Sequence, residues 1–368
     1  MTPARSTRFA SIPSESLGPL LDVVGAPGTP TMSPRLGMGY PRPLSGEERS
    51  GLRTTGLFQE DSDEVRSEWA VAARVLLDPR VNLTIRLLSP EAEVQTNIQF
   101  PGPVAGGGGV AFNLRGDHYG VTWPISTGDV RTLLDEWLLR PVQSVPPQGF
   151  EALFDPSVST AFFGSVDLLR TKKMLRGDDS FDAGELVGFL LGHEAGDGVQ
   201  DLRLFATLAT GRTVRADHPA LAKALAKLVV AEQLGSEGGR YRAEGALAAL
   251  SDPQLQVQRA LHWHEVRLAE SGELIVESRV VVQAGDLLLT LDAEEDGVFV
   301  RCPGGGGVRE EFERRLGAVD ESPEQGSAPI ATGPRKELGF CGKCGTGLRP
   351  GRRFCYACGH EVRARGDG

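Results

Sequence analysis

An internal repeat constrains this chain more than any other feature. Trp69 to Leu77 has helical spacing and stops at Asp78-Pro79, because proline disfavours helix at the residue before it. Val81, Leu83, Ile85 and Leu87 then alternate as one face of a strand. Three further strand-like stretches follow at Ala92 to Phe100, Val110 to Arg115 and Tyr119 to Pro124. Thr127 to Leu139 closes the unit as a helix with Val130, Leu133, Leu134, Trp137 and Leu138 on one side. The same order returns later in the chain. Ala243 to Leu250 reads as helix and ends at Asp252-Pro253; Leu255 and Val257 open a strand. Leu274 to Gln283, Leu287 to Asp292 and Gly297 to Cys302 read as strands, and Gly307 to Leu316 as a helix. Gly120-Val121 matches Gly297-Val298, and Pro124 matches Pro303. The expected fold is therefore α+β: two pseudo-symmetric units, each helix, four-stranded antiparallel meander, helix.

The stretch between the repeats has a different character. Asp182 and Glu185 form a capping box for a helix to about Leu191, and Leu221 to Leu234 reads as a second helix. Phe162-Phe163 reads as an extended or buried piece of undecided type. The domain expectation is a partly irregular segment over 1–45 with one short helix around Leu17 to Val24. A duplicated body follows over 46–319: unit one 46–141, a helical middle 142–220 and unit two 221–319. Asp320 to Glu337 is rich in proline, glycine and serine and reads as a flexible linker over 320–337; a small zinc ribbon over 338–364 ends the scheme.

That ribbon rests on Cys341, Cys344, Cys355 and Cys358, two CxxC pairs each followed by glycine. The spacing lets both thiolates of a pair meet one ion, and the glycine permits the tight turn. Four thiolates are a closed tetrahedral set for one structural Zn²⁺, with no position left for substrate. A thioredoxin-like dithiol would need one pair in a βαβ setting. A module this small has little core, so metal binding should supply most of its folding free energy. His360 reads as a surface residue beside it.

Charge is unevenly spread. The chain carries a net charge of −10, with 39 Lys and Arg against 49 Asp and Glu. Arg335 to Gly368 has a net of +5, which leaves −15 on the rest. An acidic body argues against a chain built to coat nucleic acid. Arg349, Arg352 and Arg353, beside Phe354 and Tyr356, keep open an alternative: a regulator whose basic C-terminal module touches DNA or RNA. The other reading of the ribbon is a protein contact.

Catalytic signatures are missing. Gly106 to Gly109 and Gly304 to Gly307 lack the Lys-Ser/Thr of a phosphate loop. No nucleophile elbow, H-E-x-x-H or kinase signature occurs. His262 and His264, in His262-Trp263-His264-Glu265, share one strand face about 7 Å apart. They are a feasible ligand pair without an identifiable third ligand, so two histidines on a wet sheet face is the simpler reading. His118 beside Asp117 and His193 beside Glu194 have no nucleophile near them in sequence. Cys302 reads as a small buried hydrophobe. The expectation is a chain that is not an enzyme. No run of about 18 apolar residues occurs and the first residues lack a secretory apolar core, so a cytoplasmic protein without membrane insertion is expected.

The repeat carries a family resemblance. "VLLDPRVNLTIRL" followed by a meander and "GDHYGVTWPISTGDVRTLLDEWL" is similar to the EspG family of type VII secretion-associated proteins, over roughly residues 17–319. The resemblance implies a pseudo-two-fold α/β duplication with a helical insertion. It also implies a cytosolic, non-enzymatic chaperone that holds the hydrophobic tip of a secreted helical-hairpin substrate or meets the secretion machinery. The ribbon is an addition to that pattern, a second docking module. The resemblance assigns no substrate-contact residue.

Overall fold

The computed structural model describes residues 7–25, 32–38, 42–59, 62, 64–101, 108–138, 150–176, 178–192, 201–211, 218–269, 271–285, 287–295, 297–303 and 305–320. All of them belong to the unit Met1–Ser322. The four cysteines of the expected zinc site, the linker beyond Asp320, His193 and His360 lie outside the described residues.

The chain enters on strand β1 (Arg8–Pro13), turns directly into α1 (Ser14–Val24), and makes a short 3₁₀ turn at Pro34–Gly37. Next come α2 (Gly46–Thr54), started by a Ser45/Glu48 capping box, and α3 (Ser67–Leu77). The first meander is β2 (Val81–Leu88), β3 (Glu93–Phe100), β4 (Gly109–Arg115) and β5 (His118–Ile125), closed by α4 (Thr127–Leu138). The middle comprises β6 (Glu151–Phe154), α5 (Pro156–Arg176), β7 (Ser180–Phe181), α6 (Ala183–Gly192), α7 (Leu202–Thr210), α8 (His218–Val230), β8 (Leu234–Glu237) and β9 (Arg240–Ala243). The second unit is α9 (Gly245–Leu250), β10 (Val257–Leu268), β11 (Leu274–Ala284), β12 (Leu287–Glu294), β13 (Gly297–Arg301) and α10 (Gly305–Asp320).

Both meanders form as the repeat predicts, and the α+β class holds. They also join. β2 and β10, the first strand of each meander, pair antiparallel, giving one ten-stranded sheet in the order β1-β5-β4-β3-β2-β10-β11-β12-β13-β6. Every neighbouring pair in it is antiparallel.

The alternation of side chains gives the sheet two faces. On the first, Leu83, Ile85, Leu261, Trp263 and Val281 pack under α4 and α10 through Val130, Leu134, Val308 and Phe312. On the second, coverage is split between two blocks. Over β1, β4 and β5, α1 and α3 bring Leu17, Leu20, Trp69 and Leu76 onto Ile12, Phe112, Val121 and Trp123. Over β11 to β13, the middle helices bring Phe162, Val166, Leu169 and Phe205 onto Val280, Leu289, Leu291 and Val300. A separate small sheet, β7-β9-β8, edges the second block.

Several local expectations need correction. The N-terminal segment holds a strand before its helix, because Ala10 and Ile12 alternate inward against β5 while Phe9 and Ser11 point out. Phe162 and Phe163 are helical, at the fully buried centre of the 21-residue α5. The second unit's opening helix starts at Gly245; the residues before it form β9, paired with β8. The helix placed at Leu221 to Leu234 runs His218–Val230, and Leu234 opens β8. The capping box at Asp182 stands: the Asp182 amide donates to Glu185 Oε2 at 2.9 Å and the Glu185 amide to Asp182 Oδ1 at 2.8 Å.

Candidate functional site

Among the described residues, the two helical blocks of the second face form separate clusters and do not meet over the middle of the sheet. Between them runs a lane made by β3, β2, β10 and β11. Register fixes its members: Asn97 lies opposite Thr84, Thr84 opposite His264, and His264 opposite Ser278. One step along, Gln95, Arg86, His262 and Val280 stand in the same row order. Asn82 and Val266 form the row on the other side. The sheet face is thus apolar under each block and polar along its midline.

Within the lane, Thr84 donates its hydroxyl to Asn97 Oδ1 at 2.9 Å. Arg86 holds Glu93 through Nε at 3.0 Å and Nη2 at 2.6 Å. His262 Nε2 is 3.0 Å from the Ser278 hydroxyl. The two imidazole centroids are 6.1 Å apart. His262 is only 9% exposed, whereas His264, Thr84, Asn97 and Ser278 are half-buried. The histidine pair therefore shares one strand face, as its spacing requires, but that face is no open wet surface; the flanking blocks partly enclose it. His262 Nδ1 and Asn82 Oδ1 are buried without a hydrogen-bond partner among the described residues.

Burial sets the protonation of the pair. Desolvation first, then repulsion from His264 and Arg86, pulls His262 down to about 4. Burial alone lowers His264. Both rings are neutral at neutral pH, with nitrogen lone pairs and N–H groups available for hydrogen bonds.

The opposite face beneath α10 is ionic rather than open. Trp263 Nε1 donates to Glu265 at 3.1 Å, and Arg267 Nε lies 3.0 Å from the same carboxylate. Arg279 bridges Asp292 and Glu311, while Arg315 joins Glu277 to Glu311. These pairs clamp α10 onto the sheet.

Remaining sequence candidates fall elsewhere. His118 Nδ1 contacts Asp117 at 2.6 Å in the exposed β4–β5 turn. Cys302 is buried and its thiol is pushed up to about 12, so it stays a protonated, unreactive group at neutral pH. Among the described residues, no three His, Cys, Asp or Glu side chains are grouped to hold a metal ion. Nor, among them, is any helix long and apolar enough to cross a membrane. Sequence reasoning missed the lane as a unit, since its members come from strands of both repeats. The available signal was the polar side of "VNLTIRL" together with the two histidines.

No family model matches the chain, and no curated protein matches it. Among solved structures it is similar to the Mycobacterium tuberculosis type VII secretion system chaperone EspG5 in complex with PE25-PPE41 dimer. The TM-score is 0.44 and the identity 11%, over 87% of this chain and 99% of that chain. At that level the likeness is a loose one of fold.

Proposed function

We propose that this protein is a non-enzymatic chaperone or adaptor that docks a polypeptide partner in the midline lane. The observation that carries this reading is the lane itself. A large antiparallel sheet ordinarily covers its face or leaves it to water, whereas this one encloses a polar strip between two helical blocks. Buried polar atoms without partners cost about 1–3 kcal/mol each unless something satisfies them. A segment of another chain laid between the blocks would do so. The resemblance of the repeat to the EspG family points the same way, toward secreted helical substrates handled in the cytoplasm. Cys341, Cys344, Cys355 and Cys358 are proposed to bind one structural zinc ion and to form a second docking module.

The test is affinity capture from native cytosol with full-length wild type and two lane variants, Thr84→Trp and Ser278→Trp, checked for unchanged thermal unfolding. A defined set of secreted helical proteins should bind the wild type and be lost from both variants. Recovery of the same set by the variants would move the docking site off the lane. Recovery of nucleic acid instead, dependent on Arg349, Arg352 and Arg353, would replace the reading with the regulator.

A further inference from the structure

The lane has a chemical bias that its shape alone does not explain. In a chain with more Asp and Glu than Lys and Arg, the lane rows carry no acidic residue except Glu93 at the rim, where it is bound to Arg86. Three nitrogenous side chains stand together instead. Arg86 and His262 are register partners on β2 and β10, and His264 is the next residue on that face of β10. Neither nitrogen of the half-buried His264 ring has a hydrogen bond among the described residues, and His262 Nδ1 is likewise without a partner.

We infer that the lane takes an acidic side chain of the polypeptide partner, held by Arg86 and the His264–His262 pair, and that a proton from solvent is taken up onto an imidazole as the carboxylate enters. The inference rests on the docking reading and gives its partner a chemistry. A carboxylate entering between neutral imidazoles in a half-buried strip raises their proton affinity, because the imidazolium then has a counter-ion. The charged and titratable groups around the pair are few. β2 contributes Arg86, β3 contributes Glu93, β10 the other histidine, and β11 only the Ser278 hydroxyl. Among the described residues, no charged side chain of the flanking helices is hydrogen-bonded to either ring. Burial holds both rings neutral in the free protein, and a bound carboxylate would offset that cost of charging them.

The sign follows from linkage. The complex binds more protons than the free protein between the free and bound imidazole pKa values, so binding tightens as pH falls through that window. One proton taken up corresponds to about tenfold tighter binding per pH unit inside that window.

The experiment uses full-length protein with labelled histidines, observed by NMR, with His262 and His264 assigned through His262→Gln and His264→Gln. The probes are a capped Gly-Glu-Gly peptide and its Gly-Gln-Gly counterpart at equal ionic strength. The Glu peptide should shift both imidazole signals and raise their titration midpoints, the Gln peptide should not, and Arg86→Gln should abolish the difference. Equal responses to the two peptides, or none to either, would overturn the inference. Partner capture that depends on the lane while the peptides behave alike would sink this inference and leave docking intact. A peptide response without any lane-dependent partner would do the reverse.

Discussion

Ile85 and Trp263 are paired across β2 and β10, the first strands of the two meanders. The sequence separation between them is the separation between Arg131 and Arg309 and between Asp135 and Glu313. Those residues form reciprocal bridges between α4 and α10: Arg131 to Glu313 at 2.7 Å and Arg309 to Asp135 at 3.8 Å. Reciprocal contacts of this kind, each helix offering the same arginine and carboxylate spacing to the other, are the mark of a two-fold relation between the units. The repeat folds as an internal dimer.

Trp263 is fully buried, 5.3 Å from the Phe312 ring and bonded to Glu265. Trp263→Ala should cost about 3–5 kcal/mol from the cavity, plus the loss of a partner for a buried carboxylate. Ile85→Ala, which removes only methylenes, should cost about 2–4 kcal/mol. Urea unfolding measures both. Equal costs would mean that the Glu265 bond contributes nothing.

The reciprocal bridges are half-exposed, so each is worth well under about 1 kcal/mol. Their informative property is geometry. Arg131→Glu alone should destabilise slightly by placing like charges together, and Arg131→Glu combined with Glu313→Arg should restore wild-type stability. A coupling energy near zero in this double-mutant cycle would show that the Arg131–Glu313 bridge adds nothing to the apolar packing of α4 and α10.

Much of this fold is legible in the sequence because two periods are clean. "VNLTIRLL" alternates buried and half-buried residues as a two-sided strand must, and Asp-Pro ends the expected helix before each meander. What escaped detection depends on distant partners. β1 has two inward residues, Ala10 and Ile12, too few for a periodic signal, and its strand state comes from pairing with β5. Phe162-Phe163 reads only as an extended or buried piece of undecided type, because its state is set by the long helix that buries both rings in the core. The histidine pair was visible as two residues on one face. Its enclosure was not, because the blocks on either side come from α1, α3 and the middle helices.

Asp167 ties α5 to the start of α7. Its carboxylate accepts from the amides of Leu202 at 3.0 Å and Arg203 at 3.2 Å, and from Arg203 Nε at 3.3 Å. Burial, then the neighbouring Asp201, nevertheless pushes it up to about 7. A folded pKa above the unfolded value means that its contribution is present below the ordinary carboxylate range and is lost as pH rises through about 7. The melting temperature should therefore fall as pH rises from about 4 to about 7 and level off above that, and Asp167→Asn should flatten the slope. An unchanged slope in the variant would assign the pH dependence to other groups.

Gly297 and Gly120, matched in the repeat, should respond differently to alanine. A Cβ on Gly297 would lie 2.0 Å from the Phe154 carbonyl oxygen, so β6 must move away from β13. On Gly120 its nearest neighbour would be the exposed Phe9 ring at 3.2 Å, with the Asn113 carbonyl oxygen at an ordinary 3.9 Å. Gly297→Ala should cost about 1–3 kcal/mol and Gly120→Ala much less, measured by chemical denaturation. Similar values would show that β6 yields easily and that the sheet effectively ends at β13.

Cys341, Cys344, Cys355 and Cys358 are proposed to hold one zinc ion. Metal analysis should find one zinc per chain, and Cys355→Ser should lower affinity by orders of magnitude, because three thiolates no longer close the tetrahedron. Chelation should remove the ion without changing the urea midpoint read from Trp263, since the body carries its own core of Leu261, Val281 and Phe312. A shifted midpoint would mean that the metal stabilises the body as well. Full occupancy retained in the serine variant would point to a substitute ligand, with His360 the first to examine.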